Sequence, residues 1–257
     1  MHGRVALVTG ASRGVGRGIA AALHDAGARV WATGRTIHAA KLPDGVIRAA
    51  CDHTNDDETA GVFAKLAADG GRLDVLVNCA WGGYERMVEA GRFTWADPFF
   101  AQPAWRWDSM LGAGVRAAFV ASAHAARLML PARRGLIVNV SSFAGQKRSG
   151  NAIYGVAKAA TDRLTAECAA DLAEHGIAVV SLYPGLVRTE AVLAAGVFDL
   201  SNSESPEFSG RAVAALALDP GVLRFSGRVT IAAELAREYG FSDVDGKQPR
   251  PLSLEDP

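Results

Sequence analysis

The chain has 257 residues, enough to bury a full core, and its 49% hydrophobic and 21% charged content excludes a disordered polymer. Lys+Arg and Asp+Glu each number 27, so the formal net charge is zero, and neither nucleic acid nor an anionic membrane is expected as a partner. Cys51, Cys79 and Cys168 match no disulfide framework or metal-ligand spacing, and no run approaches the ~18 apolar residues of a membrane helix.

The start, MHGRVALVTG, runs directly into a strand pattern with no apolar leader, so a cytoplasmic protein is expected. Short apolar runs then recur at Val5–Val8, Ala28–Ala32, Val46–Ala50, Val75–Val77, Leu136–Val140, Ile177–Leu182 and Arg228–Ile231. Helical stretches lie between them, among them Arg17–Ala26, Ser109–Leu130 and Tyr154–Glu174. Most of the runs lack polar alternation, as strands do when helices cover both faces of a parallel sheet. Strands alternating with helices predict an α/β, doubly wound parallel sheet of about seven strands with helices on both faces. No linker or repeat divides the chain, so residues 1–257 read as one domain. Two stretches break the rhythm at about 81–107, rich in aromatics, and 186–210; long connections of this kind tend to be substrate loops.

The first run ends in Thr9-Gly10-Ala11-Ser12-Arg13-Gly14-Val15-Gly16, followed by an amphipathic helix. Glycines there let the backbone turn sharply and approach a diphosphate, while the helix N-terminus offers N–H groups and the positive dipole end. Dinucleotide cofactors distinguish themselves at the end of the second strand, where a carboxylate would hold a free ribose 2′-hydroxyl. This sequence has Arg35 there instead, with Arg13 in the glycine turn, and two guanidinium groups suit a 2′-phosphate. NADP(H) is expected over NAD(H).

Downstream, Tyr154 and Lys158 stand four residues apart at the start of a helix, on one face. A cation beside a phenol favours the phenolate, which suits a general acid or base near neutrality. The strand Leu136–Val140 ends in Ser141-Ser142, and a hydroxyl at that strand end could polarise a carbonyl.

These pieces together resemble the short-chain dehydrogenase/reductase family. The matching segments are Thr9–Gly16, Cys51-Asp52, Asn78-Cys79-Ala80, Asn139–Ser142, Tyr154–Lys158 and Pro184–Thr189, in family order over about residues 3–235. The resemblance implies a Rossmann-type fold and hydride transfer between NADP(H) and a carbonyl or secondary alcohol. It implies Ser142, Tyr154 and Lys158 as the catalytic set, with Lys158 also bonding the nicotinamide ribose. Gly10, Ser12, Arg13, Gly14, Val15, Gly16 and Arg35 would hold the diphosphate and 2′-phosphate. Asp52 would meet the adenine amino group with His53 beside it, and Asn78 and Ala80 would line the adenosine ribose. Pro184, Gly185, Val187 and Thr189 would hold the nicotinamide end. Homodimers or homotetramers built on the two long helices are a further expectation.

The chain departs from the family pattern twice. An asparagine usually bends the helix before the serine strand, and Gly114 stands in its place; glycine's tolerance of unusual backbone angles would keep the bend. Ser142 precedes Tyr154 by 12 residues rather than the usual 13, a spacing that Ser141 would restore, but Ser142 fits the S-x-x-G register. The glycine, the aromatic stretch and the ending Glu234–Gly246 resemble the branch of dehydrogenase/reductase family member 1. Aromatic walls suit a bulky, apolar substrate. A non-catalytic NADP(H)-binding sensor is the rival reading, and a sugar-nucleotide epimerase is disfavoured because its glycine turn and larger C-terminal substrate domain are not seen.

Overall fold

Each apolar run becomes a strand because its alternate side chains are claimed by two different helical layers. Ala6, Val8, Val75, Val77, Leu136, Val138, Ala178 and Val180 point into one core. Their neighbours Leu7, Leu76, Ile137 and Val179 point into the other, so no position is left for a polar side chain to reach solvent. The computed structural model describes residues 1–84 and 86–256. Glu85, in the first expected loop, and Pro257, at the end of the expected domain, lie outside the described residues.

The chain runs β1 (Val5–Val8), α1 (Gly14–Asp25), β2 (Arg29–Gly34), β3 (Ile47–Ala50), α2 (Asp56–Ala68) and β4 (Val75–Asn78). A loop follows, carrying the short antiparallel pair β5 (Val88–Glu89) and β6 (Arg92–Phe93) and then α3 (Ala104–Met110). After a π-helical turn at Leu111–Arg116 come α4 (Ala117–Met129), β7 (Gly135–Val140), α5 (Ala152–Leu172) and β8 (Ile177–Tyr183). The last part holds β9 (Leu186–Val187), α6 (Glu190–Ala195), β10 (Ser203–Glu204), α7 (Pro206–Leu218), β11 (Val229–Ile231) and α8 (Ala232–Tyr239).

The seven long strands form one parallel sheet in the order β11-β8-β7-β4-β1-β2-β3, the doubly wound Rossmann-type arrangement that the pattern predicts. The strand order reverses beside β1, between it and β4, so a crevice opens beyond the carboxyl ends of those two strands. Their ends meet closely: a Cβ on Gly10, whose φ is +66°, would lie 2.6 Å from the Ala80 Cα. The Thr9 hydroxyl locks the junction by accepting from the backbone N–H of both Cys79 and Ala80 at 3.1 Å.

Several boundaries differ from expectation, three of them for a visible local reason. Helix α1 starts at Gly14 rather than Arg17, because extended Arg13 serves as its N-cap. The expected helix Ser109–Leu130 begins at Ala104, directly after Pro103, and is interrupted by the π turn. The second irregular stretch ends before Gly210, because the Ser205 hydroxyl caps α7 by accepting from Phe208 N–H, and Pro206 is preset for its first turn. Among the described residues no helix is long and apolar enough to cross a membrane.

A chain of buried polar groups stitches the layers. Asn78 Nδ2 donates to Ser122 Oγ (2.9 Å) and Asn139 Oδ1 (2.8 Å), Asn139 Nδ2 donates to Thr165 Oγ1 (2.9 Å), and Thr165 meets Ser181 Oγ (2.9 Å). It ties α4, β4, β7, α5 and β8 into one unit, and each link shields groups that would be costly to bury unpaired. Asn139→Ala should therefore lower stability by about 2–4 kcal/mol, read by urea denaturation. The Asn78→Ala/Asn139→Ala pair should cost less than the sum of the single changes.

Candidate active site

The crevice beside β1 has the makings of an anion cradle. Gly14, with φ +55°, is the first helical residue of α1, whose first turn holds no acidic side chain and whose N-cap Arg13 makes no side-chain capping bond. Orphan N–H groups there attract anionic oxygen. The Glu190 carboxylate supplies one: it accepts from Gly14 N–H at 2.9 Å and from Arg17 Nε at 3.1 Å. Burial opposes its ionisation, yet the N–H groups of Glu190 and Gly14 and the Arg17 guanidinium hold it below the usual carboxylate range. Ser12 Oγ is buried without a hydrogen-bond partner, and exposed Arg13 flanks the turn. Arg35, exposed at the end of β2, acts on the Asp52 carboxyl. The Thr54 hydroxyl chiefly holds Asp52 below the usual range, donating to Oδ1 at 2.7 Å. An anion-accepting helix start, an orphaned serine hydroxyl and two arginines fit a phosphorylated dinucleotide, with Gly10, Val15 and Gly16 completing the backbone of the turn.

Tyr154 and Lys158 stand near the end of β7, where the Lys158 head reaches the Val140 carbonyl and Ser142 follows two residues later. Asn151 caps α5 by accepting from Tyr154 N–H at 2.9 Å, which starts the helix so that Tyr154 and Lys158 share its inner face. Lys158 is buried; its Nζ donates to the Val140 carbonyl (3.1 Å) and lies 5.7 Å from the Tyr154 ring centre. The two serines sit in different surroundings. Ser141 is buried and donates to the Lys158 carbonyl at 3.4 Å, whereas partly exposed Ser142 accepts from Ala144 N–H at 3.2 Å.

Three rings of the first loop surround Tyr154: Trp81 edge-on at 5.6 Å, Trp95 at 5.3 Å and Tyr84 at 6.2 Å between centroids. Although the residue as a whole is exposed, the Tyr84 phenol is enclosed among these rings, and that burial foremost, with Tyr154 beside it, pushes it well above the usual tyrosine range. This second phenol is a functional candidate that sequence reasoning listed only as an aromatic of the loop. Arg106 explains the loop's shape. Fully buried, it donates to the carbonyls of Thr94 (3.2 Å) and Arg86 (3.0 Å), to Thr94 Oγ1 (2.9 Å) and to Gln102.

Two of the expected ligand residues make side-chain hydrogen bonds inside the fold. The His53 ring is buried against Thr33 Oγ1 (2.7 Å), Thr59 Oγ1 (3.4 Å) and Cys51 Sγ (3.6 Å), so only its backbone stays beside Asp52. Burial lowers its pKa to about 4. The Asn78 amide nitrogen belongs to the polar chain between β4, β7 and α4, and its Oδ1 is buried without a partner. Gly114 also has a different reason from the expected one. It lies in the π turn with no left-handed φ, and what its small size admits is Trp81: a Cβ there would meet the indole at 2.5 and 2.7 Å.

After β8, Pro184 and Gly185 lead into β9, where Val187 is buried and Thr189 caps α6 by accepting from Val192 N–H at 3.3 Å. Arg188 pairs with buried Asp243 at 3.0 Å and fastens this strap to the C-terminal segment. Buried Glu204 lies behind Gly185; its Oε2 has no partner and would be 3.2 Å from a Cβ on that glycine. Nothing in the sequence singles it out. Among the described residues, no group of three His, Cys, Asp or Glu side chains could hold a metal ion.

A family model described as "short chain dehydrogenase" matches residues 4–196. The chain is 43% identical to "Dehydrogenase/reductase SDR family member 1" of Mus musculus and 40% identical to the Homo sapiens protein of that name. Each match covers 96% of this chain and 85% of the relative. A solved structure titled "short chain dehydrogenase/reductase family protein" aligns with a TM-score of 0.72 at 29% identity, covering 90% of this chain and 95% of its own.

Two buried groups give the fold opposing pH dependences. Burial, with Asp243 nearby, raises Glu204 from 4.5 to about 7, so its stabilising protonated form is complete below about 4.5 and lost as pH rises through 7. His53 is the reverse: its contribution is complete above 6.5 and lost as pH falls through about 4. Glu204→Gln should flatten the fall in stability between pH 6.5 and 8, measured by urea denaturation at each pH. An unchanged slope would show that Glu204 does not carry it.

Proposed function

The chain belongs to the short-chain dehydrogenase/reductase family, in the branch of dehydrogenase/reductase family member 1, and from that premise we propose that it is an NADP(H)-dependent oxidoreductase acting on a bulky, apolar carbonyl or secondary alcohol (EC 1.1.1.-). The family is one of oxidoreductases that use nicotinamide cofactors. The observation that supports the reading most is the Lys158 ammonium at the carboxyl end of β7, bonded to the Val140 carbonyl and 5.7 Å from the centre of the Tyr154 ring, with Ser142 two residues beyond that carbonyl in the chain.

The nicotinamide, when bound, gives or takes the hydride. The chain's own residues handle the proton and the oxygen. Tyr154 Oη transfers the proton at the substrate oxygen, as general acid in reduction and general base in oxidation. Lys158 places a positive charge beside that phenol and favours the phenolate left after proton donation. Tyr84 stands beside Tyr154 with its own phenol held well above the usual tyrosine range, so it stays protonated there. Ser142 Oγ hydrogen-bonds the substrate oxygen. Trp81, Trp95 and Tyr84 wall the site with apolar surface, which supports a bulky substrate and excludes water from the reacting groups.

Gly10, Ser12, Gly14, Val15 and Gly16 would cradle the diphosphate, and Asp52, the His53 backbone and Ala80 the adenosine. Pro184, Gly185, Val187 and Thr189 would close over the nicotinamide. Arg13 and Arg35 would grip the 2′-phosphate, a reading supported by the absence of a carboxylate at the end of β2. Phe119 on α4 and Val156 on α5 are exposed apolar side chains on the two long helices, and they support a homodimer or homotetramer formed there. The three free thiols suit a cytoplasmic setting.

Tyr154→Phe should lower kcat for reduction of a ketone panel by at least about 10³-fold while leaving cofactor binding within about threefold. Turnover equal to the parent would refute the catalytic assignment. Arg35→Ala should weaken NADPH binding at least about tenfold more than NADH binding, read by cofactor fluorescence titration. Equal losses would show that Arg35 does not read the phosphate.

A further inference from the structure

One residue beside the reacting groups has no role in the scheme above beyond lining it. Trp81 is the third residue past the end of β4, and its indole faces the Lys158 ammonium, with Nζ 4.0 Å from the ring centre. The same indole meets the Tyr154 ring edge-on, at 89°. Its own Nε1–H is buried without a partner, so no hydrogen bond holds the ring in this position. The ring is held by shape: Gly114 in the π turn is the space it fills, and any Cβ at that position would collide with the indole. An ammonium carries three N–H donors. The Val140 carbonyl takes one, and the indole face lies over the charge from another side. Cys79, from the same strand end, also faces Lys158, but burial pushes its thiol up to about 11 and so keeps it neutral. The indole is therefore the electron-rich group that the sheet end offers to this cation in addition to the carbonyl.

We propose that Trp81 is a positioning residue for the proton transfer, holding the Lys158 ammonium against Tyr154 through its π face, and that Gly114 is the partner residue that makes this placement possible. The inference rests on the oxidoreductase reading of the site. Its physical basis is that a largely dehydrated ammonium is attracted to the face of an indole more strongly than to other aromatic rings. The carbonyl alone fixes one direction of the Lys158 head. The indole fixes a second, so the charge keeps its distance from the phenol whichever protonation state the phenol is in.

The test is carried out on the full-length protein loaded with its cofactor, with a ketone that the parent protein reduces. Tryptophans of decreasing ring electron density (mono-, di- and trifluorinated) are placed at position 81 alone by nonsense suppression, which keeps shape and fold nearly constant. Turnover should fall stepwise with fluorination, to about five- to thirtyfold below the parent for the trifluorinated ring, while the cofactor Kd stays within about threefold. Trp81→Phe should retain more turnover than Trp81→Leu, which keeps apolar bulk without a π face. In the reciprocal experiment, Gly114→Ala should lose turnover and the Gly114→Ala/Trp81→Phe pair should recover part of it, because the smaller ring vacates the collision. Turnover independent of fluorination overturns the proposal, as does a Trp81→Leu variant that binds cofactor more tightly at unchanged kcat, since the ring would then merely compete with the dinucleotide. Tyr154→Phe run alongside separates the two levels. If it is as active as the parent, the oxidoreductase assignment itself fails; if it is inactive while the fluorinated series is flat, only the role of Trp81 fails.

Discussion

The Lys158 side chain reaching across to the Val140 carbonyl is the contact on which the site depends. It joins the first turns of α5 to the last residue of β7, so Tyr154 and Lys158 stand at the same end of the sheet as the glycine turn after β1. The parallel sheet makes that possible. All seven strands end on one side, the strand order reverses between β1 and β4, and every loop able to carry a ligand or a reacting side chain leaves from that rim. Buried polar links from Asn78 through Asn139 and Thr165 to Ser181 keep β4, β7, α5 and β8 in fixed relation, so the ammonium and the phenol inherit the rigidity of the core.

Around that rigid edge, two straps of different construction complete the site. The first, after β4, is built on Arg106, whose guanidinium gathers the carbonyls of Arg86 and Thr94 into a compact loop and leaves Trp81, Tyr84 and Trp95 facing Tyr154. The second, after β8, is fastened by Arg188 to Asp243 and brings Glu190 to the start of α1. A carboxylate on that helix start shows what the place prefers, an anionic oxygen. It also links the position of α6 to the state of the glycine turn, since both touch the same N–H group.

Much of this arrangement is legible in the residues themselves. The unalternating apolar runs specify buried parallel strands, the glycine spacing after the first of them specifies the turn, and the four-residue interval from Tyr154 to Lys158 puts phenol and ammonium on one helix face. Those features are local: each depends on period, on backbone freedom or on separation along one element, and the chain carries that information at every stage of folding.

What the chain order does not contain is who meets whom across the fold. His53 and Asn78 read as ligand residues by position, but packing draws the His53 ring onto Thr33 and the Asn78 amide nitrogen onto Ser122 and Asn139, while Asn78 Oδ1 is left without a partner. Gly114 reads as a matter of backbone angles, but it is a matter of room for an indole 33 residues earlier in the chain. Tyr84 on Tyr154, Glu204 behind Gly185 and Glu190 on Gly14 are likewise pairings between distant segments. By itself the sequence determined the sheet, the glycine turn and the shared helix face of Tyr154 and Lys158, because these follow from short-range periodicity and spacing. Only the tertiary structure decided the surroundings of that pair, because burial and hydrogen bonding are settled when remote side chains compete for the same space.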